Sequence, residues 1–232
     1  MHLFYVPELT PITKSIYLSE DESKHACRVL RLKMNDEVAL LDGVGGIYKA
    51  RIEEDNPKKC LLQITAVTQE EKPAQEVHIA IAPTKNMDRI EWFVEKATEI
   101  GMTELTLIIC DHSERKIVKT ERLEKILVSA MKQSKRTFIP KLNAVVSFAE
   151  FLKQYDQGAL AHCEEGEKKT LQTVFQASNY PILIGPEGDF STKEIAAAKV
   201  KGYDFVMLGN TRLRTETAGL YACIQAKMLG DA

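Results

Sequence analysis

The sequence contains no Cys-x-x-Cys pair. Its five cysteines, Cys27, Cys60, Cys110, Cys163 and Cys223, are scattered over 232 residues, and the five histidines form no ligand spacing beside them. That spacing excludes a disulfide framework and a structural zinc site, and it leads us to expect a reduced, cytoplasmic chain with no metal. No apolar run nears the ~20 residues of a membrane helix, and no basic stretch followed by an apolar one opens the chain. The expectation is a protein with no membrane partner that is not exported by the usual route. Charge of one sign is also missing, since 31 Lys and Arg against 33 Asp and Glu leave a formal net charge of -2. Any contact with a polynucleotide must therefore come from a local patch. Neither G-x-G-x-x-G nor G-x-x-x-x-G-K-[ST] occurs, which removes the usual mechanical parts of dinucleotide binding and nucleotide triphosphate hydrolysis.

What is present suits one large domain or two smaller ones, with 44% hydrophobic residues to supply cores. Up to about residue 70 the pattern is of short strands over 3–6, 15–18, 37–41, 46–52 and 60–67, punctuated by Asn35-Asp36, Asp42-Gly43 and Asn56-Pro57. Such spacing predicts a small β-barrel, because closure removes exposed strand edges. One helix interrupts it, opening on the capping-box spacing Ser19 to Glu22 and running to about Leu30. His25, Arg28 and Arg31 on that helix are candidates to face a polynucleotide, the bland alternative being a solvated face. Residues 69–75 are charged, contain Pro73 and mark a linker, so the domains are expected over 1–72 and 73–232. Beyond the linker strands over 77–82, 105–110, 160–163, 182–184 and 205–208 alternate with helices, the signature of a parallel sheet covered on both faces. Further capping boxes stand at Ser147 to Glu150 and Ser191 to Glu194.

Two of these strands end abruptly in loops rich in small and charged residues: Ile184-Gly185-Pro186-Glu187-Gly188-Asp189-Phe190 and Leu208-Gly209-Asn210-Thr211-Arg212-Leu213-Arg214-Thr215-Glu216. In an open α/β sheet the crevice beyond the carboxyl ends of the strands is where ligands bind. Gly185 and Gly188 allow close approach of backbone, and Pro186 fixes the loop's shape. A surface turn is the plain alternative for the first loop, and a bridge from Arg214 to Glu216 for the second. Between Asp111 and Lys141, nine Lys and Arg stand against four Asp and Glu, a local excess of five positive charges that would attract phosphates.

Together these stretches resemble the RsmE family, SPOUT-superfamily methyltransferases that act on N3 of a uracil in small-subunit ribosomal RNA. The family pattern I-G-P-E-G-G-F-S-x-x-E is matched over 184–194 with Asp189 in place of a glycine, and L-G-x-R-I-L-R-T-E-T-A over 208–218 with Thr211-Arg212 where Arg-Ile is usual. Lys85 to Trp92, Glu95 to Gly101, Ser113-Glu114-Arg115 and Gln133-Ser134-x-Arg136 are similar to four further family stretches, with Lys132 replacing a glutamate. His25-x-x-x-Val29-Leu30-Arg31 matches a stretch of the family's PUA-like N-terminal domain.

The resemblance implies a PUA-like β-barrel followed by a SPOUT parallel sheet with a C-terminal trefoil knot, working as a homodimer on 16S ribosomal RNA with S-adenosylmethionine as cofactor. It implies a cofactor slot lined by Leu183, Ile184, Gly185, Pro186, Glu187, Gly188, Leu208, Gly209, Leu213, Arg214, Thr215 and Ala218. His25, Arg28, Arg31, Lys85, Arg89, Arg115, Lys132 and Arg136 are the implied RNA contacts. N3 of uracil carries a proton and is a poor nucleophile, so catalysis must position the base and stabilise negative charge spreading onto O2 and O4. Arginine, planar and permanently charged, suits that task. Arg214 is assigned to the base together with Arg136, and Glu216 to orient Arg214 or take the proton. The final helix, with Leu220, Tyr221, Ile224 and Met228 at recurring positions, is the expected dimer face. Competing readings are a non-catalytic RNA-binding protein, a methyltransferase acting on another RNA site, and a small-molecule enzyme holding a nucleotide at the Gly185 loop.

Overall fold

The computed structural model describes residues 1–230 and divides into two compact units, one of residues 1–72 with 131–139, the other of residues 73–130 with 140–230. In the first unit, β1 (His2–Tyr5), β2 (Ser15–Tyr17), β3 (Glu37–Leu41), β4 (Gly46–Glu54) and β5 (Leu61–Gln69) form a sheet in the order β1-β3-β4-β5-β2. β1 runs parallel to β3 and the other neighbours are antiparallel. The alternation of β4, with Tyr48, Ala50 and Ile52 buried, sends one face into a core shared with Phe4, Leu18, Leu40 and Leu62. Among the described residues no ladder joins β1 to β2, so the expected barrel is a sheet gathered round one core and is not hydrogen-bonded shut.

Between β2 and β3 the chain is not the single α-helix read from the sequence. Helix α1 (Glu20–Lys24), capped by the Ser19 hydroxyl on the Glu22 N–H, passes into a π-helical turn over His25–Val29, where the Leu30 N–H reaches the His25 carbonyl at 2.9 Å. Arg31 then takes φ 57° and ends the element. The turn from β3 to β4 is built on Asp42, whose Oδ1 accepts the Val44 and Gly46 N–H groups, both at 2.8 Å. Gly43 and Gly45, at φ 80° and 102°, present backbone to residues 131–139: Ile139 N–H meets the Gly43 carbonyl at 2.9 Å and Gly45 N–H the Thr137 carbonyl at 3.0 Å.

The second unit carries β6 (His78–Ile81), α2 (Met87–Ile100), β7 (Glu104–Ile109), α3 (Glu121–Ser134, of which 131–134 belong to the first unit), β8 (Lys141–Leu142), β9 (Val146–Ser147), α4 (Phe148–Gln154), β10 (Ala159–Ala161), β11 (Lys169–Thr170), α5 (Leu171–Val174), β12 (Ile182–Ile184), α6 (Thr192–Val200), β13 (Asp204–Met207) and α7 (Thr215–Gly230). The strands lie in the order β11-β13-β10-β12-β6-β7-β8, with β9 also paired to β7, and every pairing is parallel. β6 and β12 are buried along their whole length, as strands covered on both faces must be. Ala80, Leu160 and Leu183 pack with Phe148, Phe151 and Phe190 in one core. On the other face α7 crosses α2 closely, because a side chain at Gly219 would lie 2.8 Å from Ile81 and 2.9 Å from Phe93. Both capping boxes form, at Ser147 with Glu150 and at Ser191 with Glu194. The two-residue strands β8, β9 and β11 are too short to show a period in the sequence.

At the start of β6, His78 is buried with its Nε2 2.8 Å from the Thr106 hydroxyl and its ring edge-on to Phe151 and Tyr155. Burial lowers its pKa to about 4; Lys141 acts in the same direction, and Glu104 and Glu76 oppose it. A base whose folded pKa lies below its unfolded value takes up protons first in the unfolded chain. Stability is therefore lost as pH falls from about 6.5 towards 4, by roughly 3 kcal/mol at ~1.4 kcal/mol per pKa unit. Urea denaturation across that window is expected to show His78→Gln, which keeps a partner for Thr106 but cannot titrate, losing stability less steeply than the parent chain.

Candidate functional site

β10 lies between β12 and β13, with Ala161 level with Ile184 on one side and Val206 on the other. Because all three strands are parallel, the loops that follow them, 162–168, 185–191 and 208–214, leave the same sheet edge. They enclose two adjoining cavities of about 710 and 290 Å³ that share Ala161, Cys163, Arg212, Leu213 and Ala218. The larger is bounded by Leu208, Gly209 and the loop after β10, the smaller by Ile184, Gly185, Pro186, Glu187, Asp189, Arg214 and Thr215.

The loop after β12 is tied at each turn. Gly185 rests against Phe190, whose ring would lie 3.1 Å from any side chain there, and its carbonyl accepts the buried Thr215 hydroxyl at 3.1 Å. The Glu187 carboxylate accepts the Lys85 N–H at 3.1 Å. His112 Nδ1 lies 3.0 and 3.1 Å from the carbonyl oxygens of Gly188 and Asp189. Asp189 has φ 63°, the left-handed region that favours the glycine of the family pattern, and its carboxylate takes the Phe190 N–H at 2.8 Å and the Cys163 N–H at 2.6 Å. Behind this loop the Ser191 hydroxyl meets Asp111 at 2.6 Å, and Glu194 accepts the Asp111 N–H at 3.0 Å.

Ten of the twelve residues expected in the cofactor slot line these cavities, and Leu183 and Gly188 do not. Leu183 is paired between Leu160 and Ala80, and the alternation of β12 turns its side chain into the core. Gly188 faces away, 3.0 Å from the Cβ of His112 were it to carry a side chain. Arg214 is exposed on the smaller cavity, and among the described residues neither it nor Arg212 has a side-chain hydrogen bond or ion pair. The bridge from Arg214 to Glu216 does not form. Residues two apart at a helix start point to different sides, so Glu216 turns inward, buried, with Arg89 of α2 at 3.8 Å. Arg136 lies in the first unit, after Lys135 at φ 57°.

Of the remaining basic candidates, His25 and Arg28 on the π-helical turn and Arg31 just beyond it are exposed, and apart from the ring of His25 against Phe4 they have no side-chain partner among the described residues. Others are engaged: Lys85 with Glu114 at 2.9 Å, Arg115 with the Lys85 carbonyl at 2.7 Å, and Lys132 with Glu22 at 2.9 Å. The reading of the sequence missed the loop after β10. Its His162 stands edge-on to Phe205, burial holds its pKa below the ordinary imidazole value, and neither ring nitrogen has a hydrogen-bond partner among the described residues. The cue was present, since the strand over 159–161 also runs into a polar turn, but only the sheet order makes that turn a wall of the cleft. Among the described residues no His, Cys, Asp or Glu cluster is placed to hold a metal ion, and no helix is long and apolar enough to cross a membrane.

Residues 70–227 match the family model of an RNA methyltransferase domain, and residues 18–65 that of an RNA methyltransferase PUA domain. The crystal structure of a probable rRNA-methyltransferase from Porphyromonas gingivalis is similar at 38% identity, covering 100% of this chain and 99% of that one with a TM-score of 0.90. A ribosomal RNA small subunit methyltransferase E from Neisseria gonorrhoeae, solved bound to S-adenosyl methionine, is 25% identical over 99% of this chain and 98% of its own, with a TM-score of 0.85. A ribosomal RNA small subunit methyltransferase E from Aquifex aeolicus is 27% identical over 94% of this chain and 95% of its own. With the fold, the three-loop cleft and both domain matches in agreement, the chain belongs to the RsmE family of RNA methyltransferases.

Proposed function

We propose that this protein transfers a methyl group from S-adenosylmethionine to N3 of a uridine in 16S ribosomal RNA. The observation that carries the reading is Arg214, an exposed arginine with no partner among the described residues, standing on a cleft made by three loops at the carboxyl ends of parallel strands. The cleft suits the cofactor: Ala161, Leu208, Leu213 and Ala218 give apolar walls, Gly185 lines the smaller cavity, Gly209 is exposed on the larger, and a side chain at Gly209 would meet nothing within 4 Å. When bound, S-adenosylmethionine supplies an activated methyl group that needs in-line attack. The chain's own part is to hold the base in line and to stabilise the anion left when the N3 proton passes to water, so that N3 takes the methyl group as its bond to sulfur breaks. Arg214 places a guanidinium where charge spreads onto a uracil oxygen. Glu216, paired with Arg89, holds the start of α7 and thereby aims Arg214.

His25, Arg28 and Arg31 of the first unit are the proposed RNA contacts, since they are exposed and among the described residues none has a hydrogen bond or ion pair from its side chain. Lys85 is freed at little expense, because exposed ion pairs are worth at most about 1 kcal/mol and a phosphate replaces a carboxylate readily. Arg89, Arg115, Lys132 and Arg136 are proposed as further RNA contacts. The cytoplasmic site of action and the trefoil knot of the last strands belong to the same reading.

Single-turnover methylation of 16S ribosomal RNA tests it. Arg214→Ala is expected to lower the rate by about a hundredfold or more, as loss of one preorganised donor does. Cofactor affinity and thermal midpoint should be nearly unchanged, and Arg214→Lys should recover only part of the rate. An alanine variant that methylates normally removes Arg214 from the mechanism. Gly209→Ala examines the slot itself: a surface methyl changes stability by no more than about 0.5 kcal/mol, yet titration calorimetry is expected to show S-adenosylmethionine binding at least about tenfold weaker by the ~1.4 kcal/mol per decade rule. Unaltered binding would place the cofactor elsewhere.

The dimer is proposed on α7, where Tyr221 and Met228 are exposed and Leu220 and Ile224 only partly covered. Sedimentation at micromolar concentration is expected to give a dimer for the parent chain and a monomer for the Tyr221→Asp, Met228→Asp variant. A parent chain that sediments as a fully active monomer rules the dimer out.

A further inference from the structure

Asp189 sits where the family pattern has glycine, and its left-handed backbone at φ 63° accounts for that glycine. Aspartate tolerates this region because its short carboxylate bonds locally, and here Oδ1 takes the Phe190 N–H at 2.8 Å. The other oxygen does something a glycine cannot: Oδ2 reaches to a different loop and accepts the Cys163 N–H, 26 residues earlier in the chain, at 2.6 Å. Cys163 is the second residue beyond β10 and lies on both cavities, and Asp189 lies on the smaller one. The backbone of residue 189 is fixed independently, its N–H on the Pro186 carbonyl at 2.9 Å and its carbonyl 3.1 Å from His112 Nδ1. A charged acceptor held this firmly makes a strong bond to a backbone donor.

We infer that Asp189 is a positioning residue for the cofactor: its carboxylate latches the loop after β10 to the loop after β12 and sets the width of the slot between them. The inference rests on the methyltransferase reading above, and it concerns a residue of this chain that departs from the family pattern. Without the latch, the Cys163 N–H loses its protein acceptor among the described residues, and the loop keeps the Lys168 amine, which donates to the His162 and Glu164 carbonyls, and the edge-on contact of His162 with Phe205.

The test compares Asp189→Gly and Asp189→Asn with the parent chain, in full-length protein, by amide hydrogen exchange, S-adenosylmethionine binding and steady-state kinetics. Glycine satisfies the backbone, so the thermal midpoint should stay close to the parent's. Exchange at the Cys163 amide should accelerate at least about tenfold, and KM and Kd for S-adenosylmethionine should rise about tenfold, the scale of one lost charged hydrogen bond. The kcat at saturating cofactor should stay within about twofold. Asparagine keeps one acceptor oxygen and should fall between the two. Parent-like exchange at Cys163 together with parent-like cofactor affinity in Asp189→Gly overturns the inference. So does a fall in kcat and midpoint with KM unchanged, which would make Asp189 a structural residue alone. If the parent chain itself fails to bind S-adenosylmethionine, the methyltransferase reading falls, and exchange at Cys163 still decides whether the latch exists.

Discussion

The register of three neighbouring parallel strands is the constraint from which the site follows. Ala161, Ile184 and Val206 stand at one level although 45 residues of chain separate the first from the last, and the loops beyond them must share one edge. Backbone groups past the last rung have no strand partner and face a cavity, which is why such edges hold ligands. The register is held from both faces. A slip of one residue would turn Leu183 out of its core and put Ile182 and Ile184 in its place, and no strand buried on both sides tolerates that exchange without repacking. The bond from the Thr215 hydroxyl to the Gly185 carbonyl then fixes the start of α7 to this edge.

Around that edge, three carboxylates are committed to backbone while two arginines are left over. Glu187 is taken by the Lys85 N–H, Asp189 by those of Cys163 and Phe190, and Glu194 by those of Asp111 and Ser191. Each such bond satisfies a donor that a loop would otherwise leave to water, and does so with a charged acceptor, so the loops are stiff without regular structure. Arg212 and Arg214 have no such engagement among the described residues. The formal charge of -2 therefore says little about the side of the cleft beyond β12 and β13, where Glu187 and Asp189 are committed to backbone and Arg212 and Arg214 are exposed, although Glu164 and Glu165 stand exposed on the larger cavity.

Much of this was legible in the sequence because it rests on local chemistry. The capping boxes at Ser147 and Ser191, the strands that end at Ile184 and near Leu208, and the glycine-containing loops after them are set by residues a few positions apart. The π-helical turn was not, since one extra residue per turn leaves the apolar spacing from Ser19 to Leu30 looking helical. Nor was the place of residues 131–139. The period of α3 runs on past the point where the chain changes unit, and the bonds that hold the segment to Gly43 and Gly45 are made by backbone, which carries no pattern. His162 and Cys163 were passed over because the expected strand ran over 160–163 and took them in, whereas β10 ends at Ala161, and only its central position in the sheet makes the turn beyond it a wall.

The start of α7 shows how one helix end serves two ends at once. Glu216, in the first turn, faces inward with one carboxylate oxygen 3.8 Å from Arg89 and the other without a hydrogen-bond partner among the described residues. A buried anion is tolerated at a helix N-terminus because the unpaired N–H groups there carry partial positive charge. Gly219, one turn on, lets α7 lie against α2 and so brings Arg89 within reach. Arg214, two residues before Glu216, is thereby aimed outward by an anchor it does not touch. An arginine pinned by its own salt bridge would have to break that bridge to meet a substrate. Here the helix start is held by Glu216 and Thr215, and the guanidinium stays available without loosening the element that carries it.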